Sequence, residues 1–154
     1  MGFKRLILIN GHGGQISLLN TAARELRSFS PGMAVFPCFL WSGVNGLSEL
    51  LTKTEIEDGL HASLAETSLM LALKPELVGD ERPNEGIKGQ IPEGWSLEGS
   101  APTAWLTDDF SKSGVIGDSR GANESLGKNL KELLINHWFK LIMNLMQSDW
   151  PNNS

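Results

Sequence analysis

The 154-residue chain has no tyrosine, one cysteine and only three histidines, and its 13 basic residues are outnumbered by 18 acidic ones. A lone Cys38 excludes an intrachain disulfide and any zinc site built from several thiolates, and it suits a reducing, cytoplasmic compartment. The net charge of −5 sets the surface against a phosphate backbone, so no nucleic acid is expected as a partner. No apolar run approaches the roughly 20 residues needed to span a bilayer, and no membrane is expected. The start, MGFKRLILI, has too short an apolar run for a signal peptide and no small-residue cleavage site behind it. What is present is ordinary globular material: 40% hydrophobic and 20% charged residues, in a length that predicts one domain.

Residues 5–9 (RLILI) form a short apolar run ending at Asn10-Gly11, the pattern of a strand buried on both faces in a parallel sheet. Helical spacing follows in Ile16, Leu19, Ala23 and Leu26, and Ser30-Pro31-Gly32 stops it. Residues 33–41 (MAVFPCFLW) read as a second strand, with Pro37 disfavouring a central position. Strand, glycine turn, helix, strand makes a βαβ crossover, and the predicted fold class is α/β with a mainly parallel sheet flanked by helices. A polar connection at 42–60 carries one weak helix, SELLTKTEIED. The composition of 62–73 is strongly helical up to Lys74-Pro75. Residues 76–121 read as a long loop region with one strand near Thr103–Leu106. A terminal helix carries Leu126, Leu130, Leu133, Leu134, Leu141, Ile142 and Leu145.

Three familiar glycine motifs fail. From Gly11 the dinucleotide fingerprint would need glycine where Ile16 stands, and Gly121 to Gly127-Lys128 is one residue too long for a phosphate loop. His-Gly-Gly can supply oxyanion-hole amides, but no G-x-S-x-G elbow accompanies it. That leaves His12 at the carboxyl end of a parallel strand, where open α/β sheets place their ligands. Flanking glycines let backbone approach an ion or substrate closely, and an imidazole there can ligate a metal or move a proton. A tight turn with an incidental histidine is the alternative. Glu66, five residues after His61, lies in an otherwise apolar helical run and needs a partner or a cation to offset desolvation. Its alternative is a solvent-facing carboxylate, with His61 merely at the helix start. Trp41, Trp95 and Trp105 either wall a small planar ligand or simply pack.

Taken together, NGHGGQ after an apolar strand, then HASLAETS, then SGVIGDSRGANESLGKNL resemble the creatininase (creatinine amidohydrolase) family. Its pattern is Asn-Gly-His-Gly-Gly-Asn, then His-Ala-Gly-x-x-Glu-Thr-Ser, then Gly-Val-x-Gly-Asp-Pro with Ala-x-x-Glu-x-Gly. The resemblance spans about residues 3–134, so 1–134 are assigned to a creatininase-like domain and 135–154 to a helix end and tail.

The resemblance implies a metal-dependent amidohydrolase that opens a C–N bond of an amide, whether a cyclic one such as creatinine, a formamide or a peptide-like amide. In that chemistry a metal-bound water has its pKa lowered and attacks the carbonyl, while a histidine or glutamate carries a proton to the leaving nitrogen. It implies His12 as a metal ligand, His61 as a catalytic group beside the substrate, and Glu66 as a catalytic or metal-facing acid. Gly13, Gly14 and Trp41 would line the substrate pocket. The cofactor would be a divalent metal, whether zinc, manganese or iron, and the assembly a homo-oligomer.

Departures are visible: Gln15, Ser63 and Ser119 stand where the family has Asn, Gly and Pro. Gly14 stands where creatininase itself has a metal-binding glutamate, which points to the broader family. The family's Glu-x-His pair and following Asp have no counterpart here, so the fold is expected to be incomplete at its N-terminus. A partner chain is then needed to supply ligands. The rival expectation is a truncated, non-catalytic remnant serving assembly or small-molecule binding.

Overall fold

The computed structural model describes residues 2–85, 91–98 and 100–151. The chain forms two compact units, Met1–Asn45 with Leu134–Ser154, and Gly46–Leu133.

In the first unit, strand β1 (Arg5–Asn10) pairs in parallel with β2 (Ala34–Phe39), Arg5 opposite Ala34 and Asn10 opposite Phe39. The crossover between them is helix α1 (Ile16–Phe29), the βαβ unit expected from the apolar spacing. Its buried Ala23 shares the small core of this unit with Ala34, Val44 and Leu134. Ser30 ends α1 by donating its backbone N–H to Leu26. Pro37 faces Leu8 across the pair. Among the described residues β2 has β1 as its single partner strand, so the missing proline N–H is tolerated as on an edge. The far end of the chain belongs here too: the Trp138 indole N–H donates to the Leu40 carbonyl at 2.9 Å, and the Arg5 guanidinium donates to the carbonyls of Ser148 and Trp150.

The second unit is built from short pieces. Where one weak helix was expected at 48–58, there are two, α2 (Leu47–Leu50) and α3 (Lys53–Asp58). Leu51 is extended between them, and the Thr52 side chain accepts the Glu55 N–H to cap α3. Capping is thus local and breaks a period that would otherwise run on. Helix α4 (Leu64–Leu73) begins two residues later than composition suggests, because Ala62 has φ +49 and cannot belong to a right-handed helix.

The long loop region contains a minimal antiparallel pair, β3 (Asn84–Glu85) with β4 (Gly117–Asp118), and isolated bridges His61–Ile116 and Ser96–Pro102. Residues 86–90 and 99 of that region lie outside the described residues. The strand expected at Thr103–Leu106 is absent. Local bonds satisfy the segment instead: the Trp105 indole donates to Leu97 O, and Leu106 N–H donates to the Asp109 carboxylate.

The long terminal helix α5 (Glu124–Gln147) starts in the second unit, where the Asn123 side chain accepts the Leu126 N–H as an N-cap. Gly127 lies directly on the α4 backbone at Ser68, and the Ser68 hydroxyl accepts the Asn123 N–H. Fully buried Ile116 and Leu130 anchor this unit's core with Leu51, Leu97 and Val115.

Candidate active site

The residues singled out in the sequence fall into two constellations, one in each unit. In the first, β1 runs into Asn10, which is only 5% exposed. Its side-chain amide donates to the His12 carbonyl at 2.8 Å, and its side-chain oxygen accepts the His12 N–H at 3.1 Å. Both peptide groups of His12 are therefore held by one buried side chain, while His12 itself is solvent-exposed. His12 is extended (φ −127, ψ 124) and introduces a 3₁₀ turn, Gly13–Gln15. A Cβ on Gly14 would lie 3.2 Å from His12 Nε2, so the glycine leaves room for the imidazole to fold across the turn. The Asn10 carbonyl in turn accepts the Leu40 N–H at 2.7 Å, tying the end of β2, and hence the neighbouring half-buried Trp41, to this turn. Cys38 is part of the same strand end, and burial pushes its thiol pKa up, away from reactivity.

The second constellation is the turn from His61 to Glu66. His61 exchanges both backbone hydrogen bonds with Ile116, at 3.1 and 2.8 Å, and so precedes the first regular turn of α4. The positive φ of Ala62 then reverses the chain. Its N–H donates to Glu66 Oε2 at 2.7 Å and its carbonyl accepts the Thr67 hydroxyl at 2.9 Å. Glu66 is half-buried, and the Ala62 N–H is a hydrogen-bond partner for its carboxylate. It holds the peptide that follows His61, which brings the two candidate catalytic residues into one local arrangement.

Sequence reasoning missed Glu55. It is 8% exposed and accepts from the Ser63 hydroxyl at 2.6 Å and the Ala65 N–H at 2.8 Å. Burial raises its pKa; the bonds from Ser63 and Ala65 oppose that rise, and the charges of Asp118 and Glu66 add to it. The available signal was Thr52-x-x-Glu55, a capping-box spacing. Only half of that box forms: Thr52 accepts the Glu55 N–H, but the Glu55 carboxylate reaches to the next helix instead. Glu55 also lines a cleft of about 880 Å³ within this unit, together with Leu60, Leu64, Asp118 and Arg120. The Arg120 guanidinium grips Asp118 with two bonds, at 2.9 and 2.7 Å, and holds that carboxyl below its usual range.

Among the described residues no group of three or more His, Cys, Asp or Glu side chains is arranged to hold a metal, and no helix is long and apolar enough to cross a membrane.

A strand-end histidine in a glycine turn, a parallel βαβ unit and a His-to-Glu turn opening a helix together define an α/β protein with a candidate site in each unit. The family model for creatininase, described as creatinine amidohydrolase, matches residues 1–142, and the chain belongs to the creatininase family. The curated mycofactocin precursor peptide peptidase of Mycobacterium tuberculosis is 28% identical over 127 residues, which is 82% of this chain and 43% of that protein. A crystal structure of creatininase superposes with a TM-score of 0.72 at 22% identity, covering 96% of this chain and 58% of that one. A putative creatinine amidohydrolase from Bacteroides fragilis gives 0.65 at 20% identity, over 97% and 56%. A mutant creatininase of Zn–Zn type gives 0.67 at 24%, over 96% and 58%. The fold is creatininase-like. The chain spans less than half the length of the curated relative and a little over half of these structures.

Proposed function

We propose that this chain carries part of the active site of a metal-dependent amidohydrolase that opens a C–N bond of an amide. The observation that carries the reading is His12, clamped through both peptide groups by buried Asn10 at the carboxyl end of a parallel strand. It is supported by the family match over residues 1–142. A similar structure of Zn–Zn type favours zinc as the divalent ion, with manganese and iron as the other candidates.

The donors described here do not by themselves fit such a centre. No three-donor cluster is present among them, whereas even a mononuclear catalytic site takes three protein ligands. The reading therefore includes a second copy or further polypeptide that completes the ligand set in a homo-oligomer. The ion, when bound, would supply Lewis acidity toward the amide carbonyl. This chain's own residues would do the rest. In the first unit His12 offers a ligand nitrogen, and in the second unit Glu66 is a catalytic or metal-facing acid. Gly13 and Gly14 let the substrate approach the backbone, and Trp41 forms a wall. His61, on its bridged backbone, carries a proton to the leaving nitrogen, while Glu66 keeps the following peptide in place. A cytoplasmic location agrees with the single, desolvated Cys38.

The substrate is an amide of small size, cyclic as in creatinine or peptide-like as the relative's name indicates. The test is to purify the chain with zinc or manganese, measure bound metal, and assay hydrolysis of creatinine and of short peptides. Metal bound near stoichiometry and lost in His12→Ala, with turnover of either amide, supports the reading. Absence of both metal and turnover, in the oligomer and with partner chains supplied, overturns it.

A further inference from the structure

The N-cap position of helix α4 is held by Ser63, a residue type that normally caps a helix with its own hydroxyl. Here that hydroxyl makes no such cap. It donates to Glu55 Oε2 at 2.6 Å and accepts the Asp118 N–H at 3.1 Å. The first-turn N–H of Ala65 is taken by the other Glu55 oxygen at 2.8 Å. The helix is thus capped from outside, by a buried carboxylate on α3, and that negative charge sits where the helix dipole favours it. Gly117 makes this possible, since a Cβ there would collide with the Ser63 hydroxyl. Immediately before Ser63 stands Ala62 in a left-handed conformation, which costs an L-residue of order 1 kcal/mol or more and persists only where surroundings enforce it. Two bonds on its far side, from Ala62 N–H to Glu66 and from the Thr67 hydroxyl to Ala62 O, close the turn.

We propose that Glu55 is a positioning residue for the His61–Glu66 turn: by fixing Ser63 and Ala65 it locks the left-handed Ala62 peptide, and with it the placement of His61 and Glu66. The proposal rests on the reading of those two side chains as the working groups of this unit. Burial disfavours the ionised form of Glu55, a cost that ordinary helix capping by the nearby serine would avoid. Retaining a buried carboxylate in place of a local cap is what a precision role in the turn requires.

The test uses the full chain and needs neither metal nor substrate. Amide exchange is followed at Ala62 and Ala65, with the buried core residue Leu130 as control, and the His61 ring signals are recorded by NMR. Losing a hydrogen bond to a charged acceptor shifts a local equilibrium by about tenfold or more. Glu55→Ala is therefore expected to speed exchange at Ala62 by about that factor and to move the His61 ring signals, leaving Leu130 unchanged. Glu55→Gln, which keeps an acceptor for the Ala65 N–H, is expected to restore both. If Glu55→Ala does not fold, Glu55→Asp replaces it, since the shorter side chain cannot span Ser63 and Ala65 together. Unchanged Ala62 exchange and His61 signals overturn the proposal. So does a loss of Leu130 protection in parallel with Ala62, which would make Glu55 a general structural carboxylate. Either outcome leaves the hydrolase reading standing, because that is judged by metal content and turnover.

Discussion

Gly127 of α5 meets Ser68 of α4 so closely that a β-carbon on the glycine would collide with the serine's carbonyl carbon and oxygen. In an exposed helix, alanine would be the better residue by about 1 kcal/mol. Here the contact decides otherwise. Gly127→Ala is expected to destabilise the protein by about 1–3 kcal/mol, as other overpacked contacts do, seen as a lower urea midpoint with an unchanged slope.

Asn10→Ala removes both bonds that bracket the His12 peptide. Leaving two partly buried backbone groups without that partner costs about 1–3 kcal/mol. The larger effect is expected in the turn: amide exchange at His12 should rise more than exchange in α1. Equal protection in variant and parent would show that the glycine turn holds itself.

His12→Ala should change stability by no more than about 0.5 kcal/mol, because the side chain is exposed on a turn. On the proposed function it should abolish bound metal. Retained metal together with unchanged stability would remove His12 from the ligand set.

Glu66→Gln keeps an oxygen for the Ala62 N–H and removes the charge. Far-ultraviolet circular dichroism is expected to stay the same while metal retention or amide hydrolysis falls. Unfolding of this variant would instead mark Glu66 as a structural carboxylate.

Glu55 provides a pH test. Its folded pKa is raised above the ordinary 4.5, first by burial. A folded state that holds the proton more tightly gains stability fully below that ordinary value and loses it as pH rises through the raised one. Glu55→Gln carries no such titration. The stability of Glu55→Gln relative to the parent should therefore improve as pH is taken from below the ordinary value to above the raised one. Urea midpoints at the two pH values check this, and a constant difference would contradict it.

Much of the first unit was legible in the sequence because its signals are local. An apolar run into Asn10-Gly11, a helical period stopped at Ser30-Pro31-Gly32 and a second apolar run are enough for β1, α1 and β2. The second unit was less legible where side chains replaced ladders. Thr52 cut one expected helix into two, and Trp105 and Asp109 satisfied a segment that resembled a strand. His61 and Glu66 were found by spacing and family resemblance, yet how they are joined turns on the positive φ of Ala62, which no propensity for alanine foretells. Glu55 was invisible for a different reason. Its partners Ser63 and Ala65 lie on the following helix, and a capping-box spacing offered a sufficient local explanation for it.

The order in which the chain leaves the ribosome gives the two units different fates. Residues 46–133 are continuous, so every contact inside that unit is available once Leu133 has emerged. The first unit is discontinuous: the hydrogen bonds from Arg5 to Ser148 and Trp150, and from Trp138 to Leu40, join segments separated by the whole of the second. During synthesis at about 5–20 residues per second, β1 and β2 must wait several seconds for the residues that complete their unit. Through that interval the apolar strand RLILI is without its final neighbours, and the newborn chain is most open to chaperones and to association with other copies.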